Sequence, residues 1–106
     1  MEDKVQFKVY TFWKEKDKPE VRRFGVNNRS ATNFQYLNAK LQDVFRDLKT
    51  KNYSIAWKDE EGDEVVLASD DELMTAVQLS GDNVKLFVYC KGDKEEEYYD
   101  YYVERW

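Results

Sequence analysis

The stretch Trp57-Lys-Asp-Glu-Glu-Gly-Asp-Glu-Val-Val-Leu-Ala-Ser-Asp-Asp-Glu-Leu73 gathers eight carboxylates around one glycine and one helix start. So much fixed negative charge has three physical outlets: water, a bound cation or a basic partner. Asp59, Glu61 and Asp63 take the first, third and fifth places of a possible calcium loop, a spacing that turns oxygens toward one ion. The rest of that loop fails. Its sixth and twelfth places hold Glu64 and Asp70, where Gly and a bidentate Glu are needed, and the flanking residues read as strands rather than helices. The second half of the segment has a structural use, because Ser69 with Glu72 spells a capping box and Asp70 and Asp71 complement a helix dipole. That use leaves Asp59, Glu61 and Asp63 unexplained. A basic partner is the reading for them, with a calcium-binding module as an alternative.

Donors for such a partner lie in the same chain. Lys8, Arg22 and Arg23 supply one ammonium and two guanidinium forks, and the fork suits bidentate contact with carboxylates. Strand alternation sets Arg22 and Arg23 on opposite faces, so only one of them can align with Lys8, and Lys8 with Arg22 is the first expected pair. Asp70, Asp71 and Glu72 extend the acidic side. Catalytic readings find little support: the chain has no histidine and one cysteine, which removes the commonest general base and any zinc constellation. Gly25, Gly62, Gly81 and Gly92 are scattered and form no phosphate loop. No enzyme activity, cofactor or resident metal is expected. Cys90 alternates with Leu86 and Val88 and reads as a strand thiol turned inward.

At 106 residues, with 42% hydrophobic and 16% aromatic content, the chain closes one core. It contains no apolar run of about 18 residues, and its charged start lacks the apolar segment of a secretory signal, so a cytoplasmic protein without membrane contact is expected. The net charge of −5 conceals a polar layout. Residues 1–51 carry twelve Lys/Arg against seven Asp/Glu, residues 52–92 three against nine, and residues 93–106 two against six. A molecule basic in its first half and acidic in its second can attract copies of itself. Lys8, Arg22 and Arg23 interleave with Phe7, Tyr10, Phe12 and Trp13 as in a base-stacking sheet. A pI near 4.8 repels phosphate, and no nucleic-acid partner is expected.

The elements that must position these charges follow from the hydrophobic period. Val5, Phe7, Val9 and Thr11 alternate with Gln6, Lys8, Tyr10 and Phe12 as a strand, and after the polar turn Lys14–Pro19 a second strand covers Val21 to Val26. Phe34, Leu37, Leu41, Val44, Phe45 and Leu48 follow helical spacing behind Thr32 or Asn33 as N-cap, which predicts a helix of about four turns. Short strands at Ser54 to Trp57 and Glu64 to Ala68 flank the acidic turn, a second helix starts at Ser69, and Val84 to Tyr89 forms the last strand. The order ββαββαβ predicts an α+β domain with two helices on one face of a mixed sheet, a ubiquitin-like β-grasp over residues 1–92. Residues 93–106 differ in kind: acids and five aromatics without Gly/Pro punctuation or a clean period, an acidic aromatic C-terminal tail.

The run Trp57-Lys58-Asp59-Glu60-Glu61-Gly62-Asp63 followed by Ser69-Asp70-Asp71-Glu72-Leu73 resembles the acidic OPCA motif of PB1 domains. Phe7-Lys8-Val9-Tyr10 resembles the family's basic-strand lysine site, and Glu20-Val21-Arg22-Arg23-Phe24 is similar to the double-arginine strand of sequestosome-type selective-autophagy receptors. The resemblance covers about residues 4–92. Trp57 stands where these relatives commonly have Tyr, and Glu61 where Asp is frequent. Carrying both an acidic and a basic motif implies the dual type, which associates front to back with itself as oligomers or helical filaments, or with other PB1 proteins. The alternative within the family is a domain that pairs only with a different PB1 protein, such as a kinase or polarity scaffold. The resemblance, confined to about residues 4–92, implies association and not cargo recognition.

Overall fold

The computed structural model describes residues 3–81 and 83–94. Its elements run β1 (Lys4–Phe12), β2 (Glu20–Asn27), α1 (Phe34–Val44), a 3-10 turn (Arg46–Thr50), β3 (Lys51–Lys58), β4 (Glu64–Val66), α2 (Asp70–Ser80) and β5 (Asn83–Asp93). The strands form one sheet in the order β2-β1-β5-β3-β4. β1 and β5 are parallel at its centre and the other neighbours antiparallel, so the sheet is mixed. This is the α+β, ubiquitin-like β-grasp architecture expected from the order ββαββαβ.

Alternation within each strand decides which face meets the helices. Val5, Phe7 and Val9 of β1, Val84, Leu86 and Val88 of β5, and Ile55 and Trp57 of β3 are buried. They share one core with Leu37 and Leu41 of α1 and with Leu73 and Ala76 of α2. Apolar burial of this kind is the main favourable term in closing the domain. No helix among the described residues is long and apolar enough to cross a membrane.

The helix expected to continue from Phe34 through Leu48 ends earlier, at Val44. Phe45 leaves helical backbone at φ −114° and ψ 85°, and its N–H donates to the Leu41 carbonyl as a cap. The 3-10 turn that follows still carries Leu48 inward to full burial. Of the two possible N-caps for α1, Asn33 takes the role, accepting from the Tyr36 N–H at 2.9 Å. β4 stops at Val66, two residues short of expectation, and β3 begins three residues early. β5 continues through Asp93, the first residue of the segment read as a tail, by pairing with Lys51 past a bulge at Asn52/Tyr53. Residues 95–106 of that segment lie outside the described residues.

Candidate functional site

The acidic half is built by a turn and a cap. Between β3 and β4, the Gly62 N–H donates to the Asp59 carbonyl at 3.0 Å, and the Asp59 N–H to the Asp63 carbonyl at 2.9 Å. Gly62 closes this turn at φ +86°, where a side chain is disfavoured. The Asp59 carboxylate accepts from the N–H groups of Glu61 and Asp63, both at 3.0 Å. As a result, one carboxylate oxygen from each of Asp59, Glu61 and Asp63 lies within 4.8 Å of the others.

At the head of α2, Ser69 accepts from the Glu72 N–H at 3.2 Å. The Glu72 carboxylate accepts in return from the Ser69 hydroxyl at 3.2 Å and from the Ala68 N–H at 2.7 Å, so the capping box reaches one residue further back than the usual form. Asp70 is also engaged, accepting from the Phe34 N–H at 2.7 Å and tying the starts of the two helices together. The acidic residues therefore divide by role. Asp59, Asp70 and Glu72 hold backbone, while among the described residues the carboxylates of Glu61, Asp63 and Asp71 make no hydrogen bond. The two groups flank β4, one edge of the sheet, rather than forming a single cluster.

The basic half lies on the opposite edge. Register sets Lys8 opposite Arg23, not Arg22, and opposite residues of an antiparallel pair share a face. Arg23 is therefore the arginine that stands beside Lys8, and the expected pairing of Lys8 with Arg22 is replaced. Arg22 lies opposite Val9 on the helix side, where its guanidinium is 5.8 Å from the Phe45 ring and bonded to Glu20 at 3.1 Å. Glu20 also accepts from the Trp13 indole N–H at 3.2 Å, which fixes the carboxylate that holds Arg22. Lys40 of α1 joins that side, 6.0 Å from the Phe24 ring. Cations thus wrap both faces of the edge strand β2.

Lys85 and Lys58 were missed by sequence reasoning. The parallel pairing of β1 with β5 sets Lys85 opposite Lys8, and Lys8, Arg23 and Lys85 line one shallow depression with Gln6 and Asn83. Lys58 stands at the end of β3 on the same face, 5.5 Å from the Phe87 ring. The polar position between Val84 and Leu86 was the available signal for Lys85. Cys90 is half-buried, and burial pushes its thiol pKa up, which leaves little thiolate for chemistry.

Four interstrand spacings of about 4.8 Å separate the two edge strands, so Arg23 on β2 stands about 19 Å from β4 across the sheet. An ion pair between Arg23 and the acidic edge within one copy is out of reach; between copies it is available.

The family profile described as PB1 domain matches residues 13–90. Among solved structures, the cryo-EM structure of the AtNBR1-PB1 filament (L-type) superposes with a TM-score of 0.64 at 22% identity, covering 82% of this chain and 97% of that one. The AtNBR1-PB1 domain gives 0.59 at 18%, covering 81% and 98%. The PB1 domain of Cdc24p (long form) gives 0.57 at 18%, covering 83% and 96%. No curated protein matches by sequence. With the profile spanning most of the fold and solved PB1 domains sharing its topology, the chain belongs to the PB1 domain family of protein–protein interaction modules.

Proposed function

We propose that this chain is a scaffold that self-associates head to tail, the OPCA-like acidic edge of one copy meeting the basic edge of the next, and that its assemblies serve selective autophagy or signalling in the cytoplasm. The observation that carries this reading is the placement of opposite charge on opposite edges of one sheet, β4 and β2. A contact between two different patches is heterologous: each added copy leaves one of each exposed, and a rotation that does not close gives a helical filament. A domain of this fold is found in a filament in the AtNBR1-PB1 structure, which supports the reading. A single exposed ion pair contributes about 0 to 1 kcal/mol, so affinity requires the carboxylates of Glu61, Asp63 and Asp71 to engage Lys8, Arg23 and Arg22 as a network.

Charge reversal tests the reading, and the structure selects the residues. Glu61→Arg with Asp63→Arg spares the turn-holding Asp59, and Lys8→Glu with Arg23→Glu spares the core. Each double variant is expected to reduce large assemblies to single chains in sedimentation velocity. Unchanged sedimentation of both would overturn the assignment of the surfaces. A parent chain that sediments as a monomer would replace self-assembly by pairing with a different PB1 protein.

A further inference from the structure

The helices cover one face of the sheet; the other face carries a band of half-buried aromatic rings. Tyr10 stacks on Phe87 with centroids 5.2 Å apart and planes 13° apart, and Phe12 on Tyr89 at 5.0 Å and 15°. Val21 and Val66 extend the band toward the two edges, 44% and 61% exposed. Cations border it. The Lys8 and Lys58 ammonium groups lie 5.4 Å and 5.5 Å from the Tyr10 and Phe87 centroids, and Lys85 and Arg23 continue the row through Lys8. The face therefore suits a ligand that is both aromatic and acidic.

This chain contains such a segment. Residues 95–106 hold five carboxylates against one arginine, with four tyrosines, one valine and one tryptophan. They follow β5, whose Asp93 end lies at the same end of the sheet as the Phe12/Tyr89 pair. From Asp93 back to Lys85 is about 26 Å along the strand at 3.3 Å per residue. Twelve extended residues span up to about 40 Å, enough for a reversal and the return.

We propose that residues 95–106 dock on the open face of the sheet, tyrosines against the Tyr10/Phe87 and Phe12/Tyr89 stacks and carboxylates toward Lys8, Lys58 and Lys85. Aromatic rings packed on aromatic rings add about 0.5 to 1.5 kcal/mol beyond area burial. The acids are steered by the row of lysines at short range. Where head-to-tail assembly holds, the docked segment occupies Lys8 and Lys85 and competes with the acidic edge of an incoming copy; this consequence alone rests on that reading.

The test uses the full chain with Glu61→Arg and Asp63→Arg to keep copies apart, Cys90→Ala to remove the native thiol, and a nitroxide label on Glu104→Cys. The amide signals of Lys8, Tyr10, Lys85 and Phe87 are expected to lose about two-fold or more in intensity relative to the reduced label, as for a docked state that is the major population. The helix-face amides of Asn38, Gln42 and Thr75 are expected to keep theirs. A second label on Tyr101→Cys guards against a perturbing site and should bleach the same strands. Equal intensities on both faces, or bleaching of the helix face, overturn the proposal. So does bleaching that appears in a mixture of isotope-labelled and separately spin-labelled chains, because the occupant is then a second copy. Sedimentation of the chain with native Glu61 and Asp63 reads assembly independently, so failure of docking is distinguishable from failure of the assembly reading.

Discussion

At the scale of single residues, the carboxylates that look alike in sequence do different work. Asp59 closes its own turn and Asp70 ties α2 to the Phe34 N–H, so removing either disturbs backbone as well as charge. Glu61, Asp63 and Asp71 are the carboxylates whose loss should be read as loss of charge alone. Glu64 has a further role: it accepts from the Tyr89 hydroxyl across the open face, and that bond pushes the Tyr89 pKa up to about 12, with burial and the carboxylate charge adding to it. The sign is fixed by the acceptor. A carboxylate stabilises the protonated phenol and repels the phenolate, so the contact is fully present below about pH 10 and is lost as pH rises through about 12. Difference absorbance between the parent and Tyr89→Phe should therefore show a phenol ionising near pH 12, and Glu64→Gln should bring that step down toward 10. A Tyr89 step already at 10 in the parent would refute the assigned bond.

At the scale of elements, α2 depends on its cap more than on its length. Eleven residues are marginal for an isolated helix, and Ser69 satisfies one of its unpaired N–H groups while Glu72 reaches back to Ala68. Ser69→Ala should lower stability by about 1 kcal/mol, a fall of about 4–8 °C in Tm for a domain of this size, measured by thermal unfolding. Ser69→Asp should restore most of it, because the carboxylate accepts the same N–H; no difference between the two variants would mean that the cap contributes nothing. This cap was legible in the sequence because it is local: two residues three apart specify it. The end of α1 was not. Leu48 follows Phe45 by three residues, a spacing that a 3-10 turn and an α-helix both present to the core, so periodicity could not separate them. The pairing of Lys8 with Arg23 was also hidden, because the long polar turn between β1 and β2 lacks the two-residue signature that fixes a hairpin register. Lys85 enters the basic row through parallel pairing of strands far apart in the chain, a tertiary fact that no window of sequence contains.

At the scale of the whole molecule, the segregation of charge along the chain becomes segregation across the sheet. The sequence halves are basic and acidic because the chain lays β1 and β2 on one side and finishes β3, the acidic turn and β4 on the other, with β5 closing between them. Such a molecule has a front and a back, and that makes a stoichiometric prediction stronger than loss of assembly. A chain neutralised on its acidic edge, Glu61→Gln with Asp63→Asn and Asp71→Asn, retains the basic surface; one neutralised on its basic edge, Lys8→Gln with Arg22→Gln and Arg23→Gln, retains the acidic one. Each alone should be monomeric. Mixed, they have one complementary contact and no means of adding a third chain, so sedimentation should give a 1:1 complex that stops at two. Because the proposed contact is a charge network at the surface, that complex should weaken as the Debye length falls from about 10 Å at 0.1 M salt to about 3 Å at 1 M. Two outcomes would break the front-to-back geometry: larger species in the mixture, which require a further interface, or dimers of either variant alone, which require a self-complementary one.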